Sequence, residues 1–94
     1  MGLRLEWDAE KATANLRKHG VSFEEATSVF GDPLSLTISD PDHSEDEDRF
    51  LDLGLSHRGR LLIVSYAERG DQIRIISARL ASRMERTTYE TKKS

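Results

Sequence analysis

The sequence contains no cysteine, which excludes disulfides, thiolate zinc sites and cysteine nucleophiles together. No apolar run approaches the roughly 18 residues that a membrane span needs, and Met1 to Trp7 lacks the apolar stretch of a secretory signal, so a cytoplasmic chain with no membrane contact is expected. A glycine-rich phosphate loop, a nucleophile elbow and a Ser-His-Asp order in recognisable context are also missing. His19, His43 and His57 have no ligand spacing, and the acidic run from Asp40 to Asp48 fits no calcium loop. Neither a metal site nor a cofactor is expected.

What is present is charge, at 33% of 94 residues, beside 36% hydrophobic residues. That length suits one domain over residues 1–94, with a thin core that would gain from a partner. The net charge of −3 hides an asymmetry. Residues 1–57 hold 13 acidic and 5 basic side chains, whereas residues 58–94 hold 4 and 9. A basic working face in the C-terminal part fits this division, and so does ordinary solubility.

Asp8 stands as the N-cap of a helix from Ala9 to His19, which Lys18 and His19 close favourably for the dipole before Gly20. Leu3, Leu5 and Trp7 alternate ahead of it. Ser22-Phe23-Glu24-Glu25 reads as a capping box, with Val21 and Ala26 as its hydrophobic staple, opening a short helix that Gly31-Asp32-Pro33 stops. Leu34, Leu36 and Ile38 then alternate with polar residues, which predicts a strand with one buried face. The acidic stretch to Asp48 predicts an exposed loop.

Strands follow at Arg49–Leu55, Arg60–Ala67 and Gln72–Arg79, joined by short turns that imply an antiparallel meander. Leu61 to Val64 and Ile73 to Ile76 are nearly continuous apolar runs, so these two strands should be central and covered on both faces. Ser82-Arg83-Met84-Glu85 is a second capping box, and its helix should run to about Glu90. The fold class is α+β: a small antiparallel sheet, two N-terminal helices and one C-terminal helix.

Cations concentrate at the end of the chain. Arg74 and Arg79 lie on the last strand, Arg83 and Arg86 on the last helix, and Arg58 and Arg60 one strand away. Arg83, Arg86 and Tyr89 are spaced to share one helix face, and Arg74 alternates away from Ile73 and Ile75. Guanidinium groups bind phosphate bidentately, and an aromatic ring can stack an unpaired base. Cleavage of RNA without a metal needs a base for the 2′-hydroxyl, cations for charge developing on phosphorus and an acid for the leaving 5′-oxygen. Arg79, Arg83 and Arg86 could hold phosphate, Glu85 or His19 could exchange protons, and Tyr89 could stack or donate. The same arginines also describe a solvated face, and Glu85 already has a use in its capping box. Trp7 reads as a core anchor that could also border a basic cleft.

The ordered motifs resemble one family. Glu6-Trp7-Asp8, Lys11, Asn15, Lys18-His19-Gly20-Val21-Ser22-Phe23-Glu24-Glu25-Ala26, Val29-Phe30, Arg49, Gly59-Arg60-Leu61-Leu62, Arg74-Ile75-Ile76-Ser77-Ala78-Arg79, Glu85-Arg86 and Tyr89-Glu90 are similar to the BrnT family of type II toxins, small ribonucleases paired with an antitoxin. The resemblance implies a fold like that of RelE toxins, metal-independent RNA cleavage that arrests translation and growth, and a BrnA-like ribbon-helix-helix antitoxin. It further implies a heterotetramer of two toxin and two antitoxin chains, with operator DNA engaged only through the antitoxin. Carried over by position, the catalytic set is Arg74, Arg79, Glu85, Arg86 and Tyr89, and the RNA-binding set is Lys18, His19, Arg58, Arg60 and Arg83. Leu80 and Met84 depart from a family pattern that is more basic there, which leaves open a weak or inactive module that serves as co-repressor with the antitoxin.

Overall fold

The structure, a computed structural model, describes residues 4–39 and 48–93. The expectations placed on Leu3 and on residues 40–47 of the acidic stretch fall outside the described residues. Strand β1 (Arg4–Glu6) is followed by helix α1 (Ala9–His19), helix α2 (Phe23–Thr27) and a 3-10 turn (Ser28–Gly31). Strands β2 (Leu36–Ser39), β3 (Asp48–Leu55), β4 (Leu61–Arg69) and β5 (Gln72–Leu80) come next, and helix α3 (Arg83–Lys93) closes the order.

The sheet runs β1-β5-β4-β3-β2. Strands β2 to β5 form the expected antiparallel meander, with Gly59 and Gly70 in the left-handed region where its two tight turns reverse the chain. β1 adds a parallel edge against β5, registering Arg4 to Glu6 with Gln72 to Arg74. Its three residues carry no local turn to β5, so their pattern held no information on orientation.

Both caps of α1 form: Asp8 Oδ1 accepts from the Glu10 and Lys11 amides, and Gly20 at φ 71° returns its N–H to the Leu16 carbonyl. The buried face of α1 is narrow. Asn15 is its buried side chain, and its amide works as a strand neighbour: Nδ2 donates to the Val21 and Ala78 carbonyls, and Oδ1 accepts from the Ala78 N–H. One residue therefore satisfies β5 where β1 no longer pairs with it.

The main core lies between the N-terminal helices and one sheet face, where Val21, Phe23, Ala26 and Val29 meet Leu62, Val64, Tyr66, Ile73, Ile75 and Ala78. A Cβ on Gly54 would sit 2.8 Å from Val29 Cγ1 and 2.9 Å from Ser35 Cβ, so this close approach of β3 to the 3-10 turn requires glycine. On the opposite face, α3 lays Tyr89 over Leu53, Leu61 and Ile63.

Two strand expectations need correction. β4 is central and covered on both faces, but β5 is covered on one face only, because Arg74 and Arg79 occupy the other. A register shift opposite Ser65 and Tyr66 leaves Ile76 without a partner on β4. This bulge lets Ile73, Ile75 and Ala78 share the core face, and sets Arg74 beside Ala67 and Arg79 beside Ile63 on the other. β2 begins at Leu36 because Asp32 holds the Leu34 and Ser35 amides in a turn. As the edge strand it keeps Leu36 half-buried while Ile38 is 54% exposed.

Candidate functional site

The C-terminal end of β5 and the first turn of α3 meet at one carboxylate. Ser82 Oγ accepts from the Glu85 N–H at 3.2 Å and Glu85 Oε1 accepts from the Ser82 N–H at 2.8 Å, so the second capping box closes. Glu85 also takes both terminal amines of Arg79, each at 2.8 Å. The Arg79 guanidinium, followed by the Ser82 amide, holds the Glu85 carboxyl down to about 2 against the cost of burial. A carboxylate fixed in this way is a poor proton carrier, which corrects the reading of Glu85 as acid or base.

Arg79 is not consumed by the pair. A guanidinium has five N–H donors. Nη1 spends its two on Glu85 and the Leu80 carbonyl, and Nη2 spends one on Glu85. Among the described residues Nε–H and the second Nη2–H have no acceptor; they lie side by side as another fork, on a side chain that is 44% exposed. Glu85 thus orients a guanidinium whose remaining fork suits a phosphate.

The exposed face expected for Arg83, Arg86 and Tyr89 does not form. Arg83 and Arg86 are exposed, but Tyr89 is 4% exposed, and its hydroxyl donates to Asp32 Oδ2 at 2.7 Å. Burial and the Asp32 carboxylate push the phenol up to about 12. Tyr89 anchors α3 to the sheet and presents no ring for stacking. The apolar rows Leu53, Leu61 and Ile63 needed a cover, and Tyr89 is the side chain of α3 that fills this role.

Along the edge of β5 that β1 leaves open, two grooves run beside α1. One, of about 390 Å³, is bordered by Glu6, Trp7, Lys11, Arg74, Ile75 and Ile76. The next, of about 220 Å³, continues past Lys11 and Ile76 to Asn15, Lys18, His19 and Ser77. Lys18 is exposed and His19 half-buried, so this second groove brings the two expected residues of α1 against β5. Arg74 lies at the far end, with Nε 3.2 Å from Glu6 Oε2. Five residues of strand, about 16 Å, separate it from Arg79.

Arg58 and Arg60 belong to a different assembly. Glu25, in the first capping box, lies with its side chain 2% exposed and does not return to the Ser22 amide; only Ser22 Oγ, accepting from the Glu25 N–H at 3.0 Å, completes its half. The carboxylate instead accepts from Arg60 Nε at 2.9 Å, from Arg60 Nη2 and from Ser56 Oγ at 2.8 Å. Arg58 Nη1 stands 3.6 Å from the same carboxylate. Arg60 chiefly, with Ser56 and Arg58, holds the Glu25 carboxyl down to about 2 despite burial. Arg60 also donates to the Gly20 carbonyl. This arginine ties α2 to the β3–β4 turn and is 29% exposed, while Arg58 is the more exposed member at 62%.

A model of one protein family, described as the ribonuclease toxin BrnT of type II toxin-antitoxin systems, matches residues 7–85. The chain belongs to the BrnT family. BrnT proteins are ribonuclease toxins, so RNA is the substrate class and a protein antitoxin the implied partner. The structure is similar to that of the Brucella abortus ribonuclease toxin BrnT, with a TM-score of 0.64, 21% identity, and coverage of 86% of this chain and 99% of that one. The likeness supports the α+β layout of two N-terminal helices, a sheet and a C-terminal helix. Among curated proteins nothing matches.

In this BrnT chain the residues that sequence reasoning missed are Lys11, which both grooves share, and Ser77, which borders the second groove. Asn15 appeared only as a motif letter; its amide is the buried side chain of α1, bonded to Val21 and Ala78, which marks it as structural. Glu25 was hidden by its capping-box context. Among the described residues, no group of three or more His, Asp or Glu side chains is placed to hold a metal ion, and no helix is long and apolar enough to cross a membrane.

Proposed function

We propose that this chain is a metal-independent endoribonuclease acting at the C-terminal half of β5, between the end of α1 and the start of α3. The observation that carries this reading is Arg79, held end-on by Glu85 while its side chain stays 44% exposed. Ser77 lies two residues before it, the second groove brings Lys18 and His19 to Ser77, and α3 exposes Arg83 and Arg86. His19 takes the proton from a ribose 2′-hydroxyl, whose oxygen attacks the adjacent phosphorus. The bond to the 5′-oxygen breaks, that oxygen takes a proton from a solvent water whose hydroxide is neutralised by the protonated His19, and a 2′,3′-cyclic phosphate remains. Arg79 and Arg86 stabilise the charge that grows on the phosphoryl oxygens. Lys18, Arg58, Arg74 and Arg83 bind the flanking strand, and Glu85 is a positioning residue.

The toxin acts in the cytoplasm, where RNA cleavage arrests translation and growth. A BrnA-like ribbon-helix-helix antitoxin neutralises it in a complex of two chains of each kind, and operator DNA is met only through the antitoxin. Expression in cells tests this reading: wild type arrests growth, Arg79→Ala and Arg86→Ala abolish arrest, and both variants retain antitoxin binding and operon repression. Arrest that survives both changes sinks the site assignment.

A second reading has its own observation. Glu85, Arg60 and Tyr89 are engaged within the fold, while Leu80 is 49% and Met84 80% exposed where cations would serve phosphate. These features favour a weak nuclease whose main task is co-repression. On that reading wild type and variants are equally harmless, and repression persists in all of them.

A further inference from the structure

The groove between β1 and α1 is larger than phosphate contacts require, and its lining differs from the rest of the cationic surface. It holds about 390 Å³ and combines a carboxylate, a guanidinium and an indole. Asp8, on the same rim, is held at the α1 cap through Oδ1, whereas Glu6 is held beside the guanidinium of Arg74. The Glu6–Arg74 pair is a single contact, Nε to Oε2 at 3.2 Å, on two side chains that are 43% and 47% exposed. Among the described residues, Glu6 Oε1 and both terminal amines of Arg74 therefore remain open to a ligand. Trp7 is half-buried and meets Phe23 edge-on, with centroids 5.9 Å apart at 81°, so the ring is braced while it borders the groove.

A carboxylate beside a guanidinium matches one nucleobase better than the others. Guanine offers adjacent N1–H and N2–H donors that a carboxylate accepts together, with O6 next to them for an arginine. Adenine turns an unprotonated N1 toward the same carboxylate. Cytosine and uracil each offer the carboxylate a single ring-edge donor group. The indole supplies a stacking surface. The neighbouring groove shares Lys11 and Ile76 and has no carboxylate on its border, which suits the sugar-phosphate backbone leading from Lys11 toward Lys18, His19 and Ser77.

We propose that Glu6, Trp7 and Arg74 form a pocket for an unpaired guanine of the RNA, and that Lys11 carries the phosphate linking this base to the cleavage site. The inference rests on the RNA-cleaving reading for its ligand class and deepens it with a base preference. It moves Arg74 from the reacting centre, about 16 Å along the strand, to recognition.

The test separates binding from cleavage. Hexamers of 2′-O-methyl uridine carrying one guanosine, inosine, adenosine or cytidine cannot be cut, because the attacking hydroxyl is blocked. Trp7, the sole tryptophan of the chain, reports binding through its fluorescence. The guanosine hexamer binds about tenfold more tightly than the adenosine hexamer, with inosine between them because it lacks the N2 amine. Glu6→Gln erases the ranking, and Lys11→Ala weakens all hexamers alike. Equal binding of guanosine and adenosine by wild type, a ranking that survives Glu6→Gln, or binding that leaves Trp7 fluorescence unchanged would each overturn the pocket. The same sequences as unmodified RNA then distinguish the two readings. A guanosine ranking without cleavage of any RNA contradicts the nuclease and leaves the pocket standing, whereas cleavage without the ranking contradicts the pocket alone.

Discussion

The chain carries the pattern Ser-x-x-Glu twice at a helix start, at Ser22 to Glu25 and at Ser82 to Glu85, and the two sites use it differently. At α3 the box closes, and Glu85 still has room to hold Arg79 at the surface. At α2 the helix end lies against the sheet, and Glu25 turns away from its own cap toward Arg60 and Ser56. Both carboxyls are held near 2 by an arginine, yet Glu25 is 2% exposed beside an Arg60 at 29%, whereas Glu85 is 30% exposed beside an Arg79 at 44%. Local sequence sets the cap, and tertiary burial decides what the carboxylate does with its remaining lone pairs. The same contrast divides the arginines: Arg60 joins α2 to the β3–β4 turn around a buried carboxylate, and Arg79 joins β5 to the start of α3 around a half-buried one.

The largest effect that sharpens the contrast is on stability. Arg60→Ala leaves the buried Glu25 without its main partner and lowers the urea midpoint more than any of the changes below. Arg79→Ala breaks a surface pair and costs about 1 kcal/mol or less. Equal losses would break the comparison.

Acid unfolding ranks next. A carboxyl lowered in the fold stabilises fully above its unfolded value of 4.5, and this contribution drains away as pH falls toward 2. Glu25 and Glu85 both act in this direction, whereas Asp52, raised by burial although Thr37 and Tyr66 donate to it, acts oppositely and gains stability for the fold on protonation. Glu25→Gln should flatten the acid limb of the stability–pH curve more than Glu85→Gln, because Glu85 is the more solvated of the two.

Tyr89→Phe removes the bond to Asp32 and costs about 1 kcal/mol in thermal unfolding, with RNA cleavage unchanged. Lost cleavage would return the phenol to the site. The smallest effect is Ser82→Ala, about 0.5–1 kcal/mol from the cap, together with a more mobile Arg79 and slower cleavage.

Much of the fold was legible because it is written locally. Ala9 to His19, the tight turns at Gly59 and Gly70 and the start of α3 follow from caps and periodicity, and each formed at its expected place. What escaped depends on distant partners. The parity switch at Ile76 is set by pairing with β4, and it is what lets Arg74 and Arg79 face the same side. Tyr89 has the spacing of Arg83 and Arg86, but the uncovered row Leu53, Leu61 and Ile63 claims it. The candidate site was legible as residue types, and its order was not: Arg79 with Glu85, Lys18 and His19 with Ser77, and Glu6 with Arg74 come together only in three dimensions.

The most direct measurement is cleavage of end-labelled single-stranded RNA by the purified chain in EDTA, with Arg79→Ala alongside and the 3′ ends identified. Wild type is expected to cut and leave 2′,3′-cyclic phosphate, and Arg79→Ala to lose that activity while remaining folded. Cleavage by Arg79→Ala at the wild-type rate, or wild-type cleavage that requires a divalent cation, would contradict the account.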